Sequence, residues 1–151
     1  MIVYAESSAV LAWILGEPAE SAVRRVMTDA ERVVSSALTI LECGRALARG
    51  AALGRIRPTD ELAAQRLLDT AAAGWDIYQV SEDVITRARA RFPTEPVRTL
   101  DALHLATATT FRDALGSLAV LSLDERIRAN AAQLGLTVLP VDRSNLVSRQ
   151  T

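Results

Sequence analysis

The chain of 151 residues has few of the residues on which common enzyme chemistries depend. Cys43 is its only cysteine, which excludes intrachain disulfides, cysteine-based zinc sites and CxxC redox motifs. His104 is its only histidine, which excludes HExxH and multi-histidine metal sites. All 17 basic residues are arginines, and the lack of lysine excludes Walker A loops and Schiff-base catalysis. The abundant reactive groups are the 18 carboxylates.

The sequence also lacks long apolar runs and a strong charge of either sign. No window approaches the roughly 18 uninterrupted apolar residues that a membrane span requires. No basic segment followed by an apolar stretch and a cleavage site follows Met1, so we expect a cytoplasmic protein without a membrane association. The net charge of -1 argues against a protein that coats nucleic acid non-specifically, although local arginine patches are compatible with it.

Short apolar segments alternate with helical patterns along the chain. Strands are predicted at residues 2–5, 32–35, 76–80, 118–121 and 137–139, and helices lie between them. Thr99 is predicted to be the N-cap of the helix that Gly116 ends. This alternation predicts an α/β fold with a mostly parallel sheet of four to five strands, covered by helices on both faces. We expect one domain over residues 1–151, in which residues 142–151 form a loosely held tail.

Four carboxylates fall at the edge of the predicted sheet where the strands end. Glu6 and Asp124 each follow a strand, whereas Glu42 and Asp101 lie in the early turns of two helices. Ligands of open parallel sheets bind at this edge. Each acid alone also has a structural interpretation, because a carboxylate stabilises a helix N-terminus. Glu42 and Asp101, however, interrupt apolar stretches, where a carboxylate requires a neutralising cation such as Mg²⁺ or Mn²⁺.

Four segments of the chain resemble the signature regions of PIN-domain ribonucleases, in particular the VapC-like toxins of bacterial and archaeal toxin-antitoxin pairs. The segments are IVYAESSAVLAWILGEP, SSALTILECGRALAR, RTLDALHLATA and VLSLDERIRANAAQLGLTVLP. They occur in the family's order and cover nearly the whole chain, and RTLDALHLATA is the most specific. The resemblance implies a PIN-like three-layer α/β/α sandwich.

The resemblance also implies an activity, namely metal-dependent hydrolysis of RNA phosphodiester bonds with Mg²⁺ or Mn²⁺ as cofactor. Four acids match the family's metal-binding positions: Glu6, Glu42, Asp101 and Asp124. Ser8 and Ser122 match small hydroxyl positions beside the first and fourth acids, where they would orient these ligands. The implied partners are a tRNA or rRNA substrate, a second copy in a homodimer, and a VapB-like antitoxin that binds an apolar groove near Trp13.

Position 6 departs from the family pattern, which usually has aspartate there. Glutamate moves the carboxylate by about 1.5 Å, the length of one carbon-carbon bond, so we expect weakened activity that an aspartate would restore. This leaves an alternative, a PIN-like protein that binds RNA or a partner while its metal site is impaired. Receiver, haloacid-phosphatase and DEDD-exonuclease functions are excluded because lysine, DxDx[TV] and a paired DxE motif on the first strand are absent.

Several other residues have both a functional and a structural interpretation. Arg45 and Arg98 stand near the predicted acids, where each could bind an RNA phosphate or pair with a carboxylate. His104 could be a ligand or a proton shuttle, but a lone histidine in an apolar segment is more often hydrogen-bonded and structural. Cys43 is expected to be a small buried residue, and Trp13 is expected to contribute to the core.

Overall fold

A computed structural model describes residues 1–141, and the predicted tail, residues 142–151, lies outside the described residues. The described part contains five strands and seven helices. In chain order they are β1 (Ile2–Ala5), α1 (Ser7–Ile14), α2 (Glu20–Asp29), β2 (Arg32–Ser36), α3 (Ala37–Ala52), α4 (Pro58–Ala72), β3 (Asp76–Tyr78), α5 (Glu82–Ala88), α6 (Thr99–Leu115), β4 (Ala119–Leu121), α7 (Glu125–Gln133) and β5 (Thr137–Leu139).

All strand pairs in the sheet are parallel, and the strand order is β3-β2-β1-β4-β5. Val3 pairs with Val33 on one side and with Ala119 on the other, which fixes β1 at the centre. The chain builds β2 and β3 outward from one edge of β1 and β4 and β5 outward from the other. The order therefore reverses between β1 and β4, and in open parallel sheets the ligand crevice lies at such a point, outside the carboxyl ends of the strands.

Helices cover both faces of the sheet because side chains of each strand alternate between the faces. Val3 packs with residues of α1 and α2, and Ala5 packs with a cluster from α1, α3 and α4. Tyr4 points to the opposite face, where it packs with residues of α6 and α7 such as Leu105 and Ile127. The predicted three-layer α/β/α sandwich with a parallel sheet of five strands is thus confirmed.

The predicted end of α6 at Gly116 agrees with the structure, but the predicted N-cap of α6 is wrong. α6 begins at Thr99 itself, and Arg98 is the N-cap residue, without a side-chain cap. The backbone explains this, because the Arg98 carbonyl already accepts the Ala102 amide at 2.8 Å. Gly116, with φ of 83°, ends α6 in the left-handed region that glycine tolerates best. None of the helices among residues 1–141 has both the length and the hydropathy required to span a bilayer.

Candidate metal centre and active site

The four predicted acids line one cavity of 340 Å³ beside the carboxyl ends of β1 and β4. Glu6 follows β1 directly, and Asp124 caps the N-terminus of α7 after β4. Asp101 lies in the first turn of α6, and Glu42 lies on the side of α3 that faces this cavity. The fold therefore brings together side chains that are far apart in the sequence, at the sheet edge where the strand order reverses.

Glu6 is almost fully buried and accepts a hydrogen bond from each of four donors. Its Oε1 accepts from the Ser7 hydroxyl at 2.6 Å and from the Ser8 amide at 3.0 Å. Its Oε2 accepts from the Ser8 hydroxyl and, at 2.7 Å, from the Ser122 hydroxyl. These donors compensate the loss of water around a buried carboxylate. They also fix its position at the N-terminus of α1.

The two serines that the sequence predicts to orient the acids connect the first and fourth strands. The Ser8 hydroxyl accepts from the Leu123 amide at 2.9 Å and from the Asp124 amide at 3.2 Å. The Ser122 hydroxyl also accepts from the Asp124 amide, at 3.1 Å. Ser8 and Ser122 thereby hold the backbone of Asp124 at a fixed place relative to Glu6. Asp124 in turn caps α7 through Oδ1.

A buried chain of hydrogen bonds positions Glu42. The Tyr4 hydroxyl lies 2.8 Å from Nδ1 of His104, and Nε2 of His104 lies 2.5 Å from Oε2 of Glu42. Burial and the nearby charge of Glu6 raise the pKa of Tyr4, so its hydroxyl keeps its proton and donates to Nδ1. Nε2 of His104 then donates to Glu42. Burial opposes the charge on Glu42, but the hydrogen bond from His104 and the electrostatic interaction with its imidazole outweigh it and lower the pKa of Glu42.

Asp101 differs from the other acids because one of its oxygens is buried without a hydrogen-bond partner. Oδ2 is buried, and no hydrogen-bond donor reaches it in the described structure. Burial raises the pKa of Asp101, the charges of Asp124 and Glu6 raise it further, and Arg98 and Arg126 oppose them. An unpartnered carboxylate oxygen beside other carboxylates requires a positive charge to stabilise it.

These residues fit a divalent cation that prefers oxygen ligands. One ligand atom each from Glu6, Glu42 and His104 lies within 4.8 Å of the other two. Asp101 and Asp124 line the same cavity as both glutamates, and the unpartnered Oδ2 of Asp101 is available as a ligand. Carboxylates without thiolates favour Mg²⁺ or Mn²⁺ over softer metals. The donor set is therefore consistent with the metal that the sequence predicts.

The remaining sequence predictions have separate outcomes. Arg98 lines the acidic cavity, whereas Arg45 lines a second cavity that adjoins it. Cys43 is buried as predicted. His104 is buried and hydrogen-bonded as predicted, and its two partners were not predicted. Trp13 packs with core residues, but its side chain also lines a surface groove.

Comparisons with known proteins identify the family. The PIN domain family profile matches residues 3–133, so the chain belongs to the PIN domain family. It is 36% identical over 137 residues to Ribonuclease VapC46 of Mycobacterium tuberculosis, an alignment that covers 91% of this chain and 95% of that protein. The resemblance to PIN-domain ribonucleases and VapC proteins is thus confirmed.

Solved structures show the same fold at lower sequence identity. VapC20 of Mycobacterium tuberculosis, described as a Sarcin-Ricin loop cleaving toxin, has a TM-score of 0.62 at 16% identity and covers 84% of this chain and 93% of its own. A toxin-antitoxin complex from Klebsiella pneumoniae has a TM-score of 0.60 at 14% identity, over 91% of this chain and 96% of its own. At these identities the likeness shows the fold alone.

Proposed function

We propose that the chain is a metal-dependent endoribonuclease that acts as the toxin of a toxin-antitoxin pair. The observation that carries the proposal is the buried, unpartnered Oδ2 of Asp101 in a cavity that four acids line. The 36% identity to Ribonuclease VapC46 over nearly the full length of both chains supports the ribonuclease activity. We further propose that the substrate is a structured RNA, a tRNA or an rRNA.

The proposed hydrolysis requires no protein nucleophile. A bound Mg²⁺ or Mn²⁺ supplies activation of water, polarisation of the phosphoryl oxygen and compensation of charge on the leaving oxygen. Four acids would hold it: Glu6, Glu42, Asp101 and Asp124. Ser8 and Ser122 hold Glu6 in place, and His104 keeps Glu42 oriented. Arg98, which is exposed at the cavity, has two parallel N–H groups with which it can bind the phosphate oxygens of the substrate.

The alternative function, RNA or partner binding by an impaired site, rests on the glutamate at position 6. The four donors around Glu6 argue against impairment, because they match the longer side chain and hold its carboxylate at the cavity. The comparisons give the alternative no support, since the matched relative is named as a ribonuclease.

The proposed partners are a VapB-like antitoxin and a second copy of the chain in a homodimer. A groove of 860 Å³ between α1, α2 and α4 is lined by apolar residues such as Trp13 and Leu67 and by charged residues such as Arg24 and Asp60. We assign this groove to the antitoxin, because its mixed apolar and charged lining suits an amphipathic peptide segment. Light scattering that finds only monomer at micromolar concentrations would refute the homodimer.

The experiment that tests the function is cleavage-end mapping of total RNA after expression of the chain without an antitoxin. We expect new internal ends in one or a few structured RNAs. Asp101→Asn should abolish these ends, because it removes a charge from the metal site. Asp113→Asn on the same helix is the matched control, since Asp113 is exposed and pairs with Arg87 and Arg112.

Two results would contradict the proposal. The first is a transcriptome without new ends although the folded chain accumulates. The second is an identical set of ends from the Asp101→Asn variant. The control variant must give the parental ends, because Asp113 lies outside the residues that line the acidic cavity.

A further inference from the structure

A second cavity adjoins the acidic one and has a different chemical character. Its volume is 490 Å³, within the range of about 300–1,000 Å³ that is usual for ligand pockets. The two cavities share four lining residues, namely Ser7, Leu11, Glu42 and Leu100. A polymeric substrate that enters the acidic cavity can therefore continue into the second one.

Three arginines line this second cavity, which we call the arginine cavity: Arg45, Arg49 and Arg55. All three are exposed, and among residues 1–141 none of them has a carboxylate within 4.0 Å. Some other arginines are paired, for example Arg57 with Asp60 and Arg87 with Asp113. The guanidinium groups of the arginine cavity are thus available for an anion.

The arrangement of these arginines follows from the geometry of α3. Glu42, Arg45 and Arg49 are separated by three and four residues, so they lie on one face of the helix. The rise of about 1.5 Å per residue places Arg49 roughly 10 Å along the axis from Glu42. This distance corresponds to about three nucleotides of a stacked strand. Arg55, from the segment between α3 and α4, lines the same cavity and also borders the groove assigned to the antitoxin.

The rest of the lining suits the other part of a nucleotide. Leu53 is 57% exposed and Leu100 is 45% exposed, and both line the arginine cavity with Leu11. Exposed apolar side chains beside unpaired guanidinium groups can contact a base while the arginines bind its phosphate. An acidic protein segment would use the arginines but would not need continuity with the acidic cavity.

We infer that the arginine cavity binds the RNA strand on one side of the scissile phosphate, with Arg49 and Arg55 in contact with backbone phosphates. The inference rests on the proposed ribonuclease function and names the path of its substrate. It predicts that these two arginines contribute to RNA affinity and not to the chemical step. Their replacement therefore raises KM and leaves kcat near the parental value.

The test measures the RNA affinity of two variants that both carry Asp101→Asn, which blocks cleavage. Each variant also carries two arginine substitutions. One carries Arg49→Gln with Arg55→Gln, and the control carries Arg66→Gln with Arg89→Gln. Arg66 and Arg89 are exposed and lie outside the cavity lining. Both variants lose two arginines, so they have the same net charge. The probe is the RNA that the end mapping identifies, labelled for fluorescence anisotropy at several salt concentrations.

We expect the cavity variant to bind this RNA at least about tenfold more weakly than the control, which is a lower bound for hydrogen bonds to charged groups. The slope of log K against log salt should also fall in magnitude by about 0.7 for each phosphate that the protein no longer neutralises. In chains with Asp101 intact, the same two arginine substitutions should raise KM alone.

The outcomes separate this inference from the proposed function. If the parent chain cleaves RNA but the cavity variant and the control variant bind it equally, the arginine cavity has another occupant and the inference is wrong. If kcat falls while RNA affinity is unchanged, Arg49 and Arg55 act in the chemical step, which also contradicts the inference. A parent chain that neither cleaves nor binds RNA would refute the proposed function, and the inference with it.

Discussion

Replacing Asp101 by asparagine should stabilise the metal-free chain while it removes metal binding. Oδ2 of Asp101 is buried without a donor, and the charges of Asp124 and Glu6 act on the same carboxylate. Asparagine keeps the shape of the side chain, removes the negative charge and places an N–H donor where one oxygen was. Most substitutions of buried polar groups destabilise proteins, so a gain in stability is a specific expectation.

The size of the gain follows from the unpartnered oxygen. A buried group without its hydrogen bond costs about 1–3 kcal/mol, and we take the lower end because Asp101 as a whole is only half-buried. A change of about 1 kcal/mol corresponds to about 2–4 °C in Tm for a chain of this length. Bound metal ions should reverse this difference in stability, because they favour the parent over the variant. At a free concentration about 100 times Kd they stabilise the parent by about 2.7 kcal/mol and the variant far less.

The gain should depend on pH with a defined sign. The pKa of Asp101 in the folded chain is raised above its ordinary value of 3.8, so the folded state favours the protonated carboxyl. The ionised carboxylate therefore destabilises the metal-free fold above the folded pKa, and this destabilisation disappears as pH falls below 3.8. Asp101→Asn should consequently gain most at pH 7 and progressively less as the pH is lowered.

Thermal unfolding followed by circular dichroism, in EDTA and in Mn²⁺, measures both effects. Asp113→Asn is the control with the opposite sign, because hydrogen bonds from Arg112 and Arg87 lower the pKa of Asp113 and its neutralisation should cost a little stability. A lower Tm of Asp101→Asn in EDTA, or equal stabilisation of this variant and the parent by Mn²⁺, would contradict a destabilising charge and a metal-binding role for Asp101.

Three further predictions concern other buried polar groups. Shortening Glu6 to aspartate withdraws the carboxylate by about 1.5 Å from Ser122. We therefore expect a free energy of unfolding lower by about 1–2 kcal/mol and slower cleavage, contrary to the expectation from sequence alone. Faster cleavage by the aspartate form would contradict this prediction. In His104→Gln the side chain can no longer bridge Tyr4 and Glu42, so we expect weaker Mn²⁺ binding in a calorimetric titration and a lower kcat. Parental Mn²⁺ affinity would exclude a role of His104 in positioning Glu42. Asn130→Ala removes three hydrogen bonds, including both to the loop before α6, and should lower the free energy of unfolding by about 1–3 kcal/mol in urea while Mn²⁺ affinity is retained.

The fold was predictable because local sequence patterns determine its strands and helices. Alternating apolar strands and amphipathic helices determine a parallel α/β sheet, and Gly116 ends its helix with positive φ as its position predicts. The cap of α6 was not predictable, since a threonine at a helix start fits N-cap and first-turn positions equally well. The backbone carbonyl of Arg98 decides between them in the structure.

The candidate site was predictable in its acids but not in their connections. Acids that follow parallel strands meet at one sheet edge, so Glu6 and Asp124 could be placed together from order alone. The hydrogen bond between His104 and Glu42 joins residues 62 positions apart, and no sequence spacing indicates it. Arg49 could have been found, because it lies one helical turn beyond Arg45 on the predicted helix.

The most direct test of the central claim is cleavage of the mapped RNA by the purified chain, with and without a divalent metal. We expect internal cleavage in Mg²⁺ or Mn²⁺, none in EDTA, recovery when the metal is restored, and none at any metal concentration with Asp101→Asn. Cleavage in EDTA, or equal cleavage by the Asp101→Asn variant, would contradict the assignment of the acidic cavity as a metal-dependent ribonuclease site.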